Sequence, residues 1–96
     1  MNNPIANEIL NQLGGNKFIA TTGSYCIGSI SNGLIMKLRK NKLKATFLII
    51  QLNPLDLYNM KFYSYEGKTL SFTENVYFDQ LQEIFTDKTG LDCKLS

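Results

Sequence analysis

A chain of 96 residues, 44% hydrophobic and 19% charged, can bury one core but is too short for a deep cleft with elaborate walls, so a single domain over residues 1–96 is expected. It is too apolar for a disordered segment, and its longest apolar run, residues 47–50, is far too short to cross a bilayer, which argues against a membrane partner. The formal charge is only +2, yet Lys37, Arg39, Lys40, Lys42 and Lys44 hold five of the ten cations, and six of the eight acids fall between Glu66 and Asp92, so the chain is an electrostatic dipole in sequence.

Asn3 and Pro4 form an N-cap and first helical position, and Ile5, Ile9, Leu10 and Leu13 recur at helical spacing until Gly14 and Gly15 stop the pattern. A first helix over Pro4–Leu13 is therefore expected. Residues 17–22 read as a first strand, closed by a turn at Thr22-Gly23-Ser24. Residues 25–30 read as a weak strand broken by Gly28, and Ser31-Asn32-Gly33 as a turn, because Asn and Gly both tolerate positive φ.

Leu34, Met36 and Leu38 alternate with Ile35, Lys37 and Arg39, the pattern of a strand with one face wet. Residues 45–52 are the most apolar segment, with Leu48, Ile50 and Leu52 on one face and Phe47 and Ile49 on the other, as in a central strand covered on both sides. Asn53-Pro54-Leu55-Asp56 is a turn. Residues 57–65 resume the alternation, with Tyr58, Met60 and Phe62 toward the core and Lys61, Tyr63 and Tyr65 opposite.

Glu66-Gly67-Lys68 closes a hairpin into residues 69–73. The period then lengthens, with Phe78, Leu81, Ile84 and Phe85 on one stripe, predicting a second helix over residues 76–88 with Gly90 as its left-handed cap and Leu91 folding back near Phe85. An N-terminal helix, a four- to five-stranded antiparallel sheet and a C-terminal helix make an α+β fold, because the connections are too short for parallel crossovers.

The stretch from Gln12 to Phe18, the Thr22-Gly23 turn, the segment 53–62 and the closing Thr89-Gly90-Leu91 together resemble a family of small uncharacterised proteins carried by bacterial phages, prophages and mobile elements. The likeness covers nearly the whole chain. It departs from the family pattern at Ser24, where alanine is usual, and at Asp92-Cys93, where an aromatic or hydroxyl residue is typical. The resemblance brings no catalytic residues. It implies a virus or mobile element acting inside the bacterial cytoplasm, where small non-enzymatic proteins inhibit host defences such as CRISPR effectors, restriction systems and nucleotide signalling; the expected partner is a bacterial host protein or defence complex.

The residues themselves exclude several chemistries. A phosphate loop places G-x-x-x-x-G-K-[ST] between a strand and a helix start, whereas Gly14 and Gly15 follow a helix and Gly23 is not followed by lysine. The chain has no histidine, hence no ordinary general base near neutral pH. Cys26 as a nucleophile would need an activator such as Lys17, and packing in a buried strand is the expected role. Cys26 and Cys93 lack metal spacing and follow no secretory pattern, so reduced thiols in a cytoplasm are expected, and the scattered carboxylates match no metal motif. No cofactor is expected.

Two constellations remain as binding candidates. The run Lys37, Arg39, Lys40, Lys42 and Lys44 could meet a nucleic-acid backbone, or be a solvated hairpin whose lysines resist aggregation. Lys61, Tyr63 and Tyr65 share a sheet face with Phe47 and Ile49, which could stack single-stranded bases or anchor a protein. That face is too apolar to leave in water, so cover by the first helix or by a second copy in a homodimer is expected. Asp79, Glu83 and Asp87 form an acidic row on the second helix, either a mimic of DNA phosphates or a solubilising surface.

Overall fold

A computed structural model describes residues 4–93. Its elements run α1 (Pro4–Leu13), α2 (Asn16–Thr22), β1 (Tyr25–Ile30), β2 (Gly33–Lys37), β3 (Phe47–Leu52), β4 (Tyr58–Tyr63), β5 (Thr69–Val76), a single 3-10 turn (Phe78–Gln80) and α3 (Leu81–Thr89). The strands form one antiparallel sheet in the order β1-β2-β3-β4-β5. The α+β class and the helix, sheet, helix order are as the sequence predicts; the Asn3 cap lies outside the described residues.

Burial alternates along the strands with the period of two that a pleated sheet imposes. Leu34 and Met36 of β2, Leu48 and Ile50 of β3, and Met60 and Phe62 of β4 are fully buried, and all point to one side. Ala6, Ile9 and Leu13 of α1, Phe18 of α2, and Leu81 and Phe85 of α3 complete the same core. Phe85 takes the edge of Phe18 at 5.0 Å between ring centroids and lies 6.4 Å from Phe62, so one side chain joins two helices to the sheet. A Gln82 Nε2 donor on the Leu13 carbonyl at 2.7 Å ties α3 to the end of α1. Each large apolar side chain buried this way contributes about 1.5–3 kcal/mol, so the helices are held by this shared core.

The segment 17–22 is helical, not a strand. Phe18 and Thr22 are one helical turn apart and both buried, and Thr22 Oγ1 donates to the Phe18 carbonyl at 2.7 Å. Thr22 Oγ1 also shares a hydrogen bond of 2.7 Å with Ser24 Oγ, so the serine hydroxyl has a buried partner. The sheet therefore begins at β1 and has five strands.

The C-terminal helix also starts later than its apolar period suggests. β5 runs on to Val76, and the 3-10 turn opens with the Tyr77 N–H donating to Gln80 Oε1 at 3.1 Å. Phe78 is consequently 62% exposed and stands outside the core, while Leu81 and Phe85 are buried in it as expected.

Both edge strands are irregular. β1 breaks register between Tyr25 and Gly28, with Cys26 at φ 50°, and β5 breaks register twice, with Asn75 at φ 58°. Asn53 holds the second irregularity: its Nδ2 donates to Asn75 Oδ1 at 2.8 Å and to Asn59 Oδ1 at 3.0 Å. Bulged edges are poor templates for a further strand.

Candidate functional site

Because α1, α2 and α3 all pack on one side of the sheet, the other side carries no helix among the described residues. The expectation that the first helix covers it is corrected: Ala6, Ile9 and Leu13 are spent on the Leu34–Met36–Leu48–Ile50 side.

Cross-strand register arranges the open face in two rows. Tyr25, Lys37, Phe47 and Tyr63 stand opposite one another on β1 to β4, and Gly28, Ile35, Ile49, Lys61 and Phe72 do so on β1 to β5. The two lysines lie over aromatic rings: Lys61 Nζ is 5.0 Å from the Phe72 centroid and Lys37 Nζ is 5.9 Å from that of Phe47. Such contacts contribute about 0.5–1 kcal/mol where exposed, and they leave the outward side of each ammonium in water. Ile35, Phe47, Ile49 and Tyr63 are half-buried by these neighbours, whereas Tyr25 and Phe72 are exposed.

Two of the predicted members, Lys61 and Tyr63, belong to this face with Lys37; Tyr65 does not. β4 ends at Tyr63, and Tyr65 sits in the following turn, 82% exposed. Phe72 and Tyr25 were not among the predicted members. Register alone reveals them, since Phe72 becomes a neighbour of Lys61, and Tyr25 of Lys37, only once the strands are paired.

The basic run spans the end of β2 and the loop after it. Past Lys37 the chain enters a loop over residues 38–46, folded around Asn41, whose Nδ2 donates to the carbonyls of Arg39 and Ala45 at 2.8 Å each while its Oδ1 accepts from the Ala45 N–H at 3.2 Å. Gly23 and Gly90 end α2 and α3 in left-handed conformation. Arg39 passes so close to Gly23 that an added Cβ would lie 2.7 Å from its Cδ, and Lys42 lies against Gly90 in the same way at 3.3 Å. The Lys42 N–H also donates to the Thr89 carbonyl at 3.0 Å. Arg39 and Lys42 thus lie at helix C-termini, where the unpaired carbonyls favour positive charge. All four side chains, Arg39, Lys40, Lys42 and Lys44, are exposed on the loop.

Other chemistry-bearing groups stay apart. Cys26 is exposed on the β1 irregularity, contrary to a buried packing role, while Cys93 is buried, its Sγ donating to the Gln82 carbonyl at 3.7 Å. Asp79, Glu83 and Asp87 are exposed, the first in the 3-10 turn and the others on α3. Tyr58 is buried on the core side, and burial, reinforced by the Glu8 carboxylate, pushes its hydroxyl above the usual value of 10.0. Among the described residues no group of three or more His, Cys, Asp or Glu side chains could hold a metal ion, and no helix is long and apolar enough to cross a membrane. No protein-family model matches this chain, and comparison with curated proteins and with solved structures finds no significant similarity.

Proposed function

We propose that this chain is a non-catalytic binding protein of a phage or mobile element, acting in the cytoplasm of a bacterial host by engaging a host macromolecule through the uncovered face of its sheet, and that the outcome is inhibition of a host defence system. The observation that carries the binding reading is the one-sided packing of α1, α2 and α3, which leaves Phe47, Ile49, Tyr63 and Phe72 on a face that no helix among the described residues protects. Such a face is the usual mark of an interaction surface, with tyrosine and phenylalanine as its anchors. The resemblance to small phage-borne proteins supplies the setting.

The test is a plasmid-clearance assay in bacteria carrying an active defence system, with affinity recovery of the bound host molecule. Wild-type chain is expected to protect the plasmid, and a Tyr63→Ala/Phe72→Ala variant to lose both protection and the recovered partner while remaining folded. Undiminished interference across restriction, CRISPR and nucleotide-signalling hosts, together with recovery of no host molecule, would overturn the reading.

A further inference from the structure

We infer that the uncovered sheet face is a platform for single-stranded nucleic acid, with Phe47, Tyr63 and Phe72 stacking bases and Lys37 and Lys61 meeting phosphates. The inference rests on the reading of that face as the docking surface and names its occupant.

Three features select this occupant. The first is the pairing of charge with ring: each of Phe47 and Phe72 has an ammonium above it at 5.9 and 5.0 Å, and the two pairs lie on different cross-strand rows. A single strand offers the matching alternation, a flat apolar base to take the ammonium's place on each ring and an anionic phosphate to receive the displaced ammonium, nucleotide after nucleotide. The second is continuity: the Lys37–Phe47 row adjoins the loop over residues 38–46, where exposed Lys40 and Lys44 extend the positive potential beyond the sheet. Exposed Glu74, on the β5 edge, lies away from that exit, while exposed Glu66 is in the turn that follows Tyr63. The third is the penalty for the alternative of a second copy, because a face-to-face dimer would bury four ammoniums, Lys37 and Lys61 of each protomer, in one interface. An uncharged apolar protein surface would also strand both ammoniums without counter-charge.

A duplex fits less well. Bases in a duplex are already stacked on one another and offer no free face to an aromatic ring. The predicted roles also differ along the basic run. Lys37 contacts the ligand, while Arg39, Lys40, Lys42 and Lys44, all exposed on the loop, raise the local potential.

The experiment is fluorescence anisotropy of the full chain with labelled 20-nucleotide oligo-dT and oligo-U, and with a duplex of the same length. Single strands are expected to bind with log affinity falling against log salt at a slope of about −1.4, about −0.7 for each of two phosphate contacts. Lys61→Gln should flatten that slope by about 0.7. Phe72→Ala, at an exposed edge position, should weaken binding by at least about fivefold, the lower end for loss of one stacked base. Tyr65→Ala should leave affinity unchanged. Absence of binding to both single strands at 50 mM salt, or binding indifferent to Lys61→Gln and Phe72→Ala, overturns the inference. So does dimerisation in sedimentation that Phe72→Ala abolishes. If the face variants lose host protection while no nucleic acid binds, this occupant is wrong and the docking surface stands.

Discussion

Gly33 opens β2 beside the backbone of β3, and a Cβ there would lie 2.2 Å from the Ile50 carbonyl oxygen and 2.8 Å from Gln51 Cγ. The dipeptide Asn32-Gly33 looks like a turn chosen for positive φ, and Asn32 does take φ 57°. The glycine serves a different need, since any side chain would drive β2 off β3. Gly33→Ala should therefore cost about 2–3 kcal/mol by overpacking, read from the urea midpoint, whereas Gly28→Ala, which meets only Ile35 Cγ2 at 3.8 Å, should stay within about 0.5 kcal/mol. Tyr58 makes a prediction in pH. Its folded pKa is raised above 10.0 by burial and by Glu8, so above that value the unfolded chain loses the phenolic proton first and ionisation favours unfolding. The Tyr58 contribution to stability should be level below about pH 10 and be lost as pH rises through the folded value. Tyr58→Phe should remove that alkaline decline, as denaturation midpoints at pH 8 and above 10 would show.

α2 shows where reading the chain without its partners fails. Phe18-Ile19-Ala20-Thr21-Thr22 is rich in strand-favouring side chains, and a seven-residue helix is too short to be stable from propensity alone. It is helical because Phe18 reaches Phe85, a contact between segments far apart in the chain. Thr22 adds its bond to the Phe18 carbonyl, and the i, i+4 spacing of those two buried residues was the one local sign available. α1 was legible because its apolar stripe is long and ends at two glycines, and the meander because its turns are marked by Asn, Pro and Gly. Phe78 misled in the opposite direction, since its place on a helical stripe predicts burial, but β5 continues to Val76 and delays the helix. The basic run is likewise divided by the elements it meets. Lys42→Glu puts negative charge at the C-terminus of α3 and should cost about 1 kcal/mol, whereas Lys40→Glu should change stability by less than about 0.5 kcal/mol; thermal denaturation of the two variants compares them directly.

The described residues form two layers, with the helices on one side of the sheet and none of them on the other. Adjacent residues of one strand therefore differ in consequence: Ile50→Ala, within the core, should cost about 2–5 kcal/mol, and Ile49→Ala, on the open face, about 1 kcal/mol, both measured by chemical denaturation. The open face was half legible in the sequence. Alternation along β4 placed Lys61 and Tyr63 together, but their neighbours on β1 and β5 depend on the register shifts in those strands, and nothing local distinguishes the strand end at Tyr63 from a strand running on to Tyr65. The nearest-neighbour order of the sheet also sets the course of folding. Each hairpin closes a short loop at small entropic cost, and no ladder has to wait for a distant segment. The demanding step is left to the helices, which must bring Phe18 and Phe85 together from opposite ends of the sequence. A stopped-flow chevron of Phe85→Leu is expected to show a slower refolding limb with a nearly unchanged unfolding limb, so that the rate at which the chain becomes native is set by the layer that leaves the other face bare.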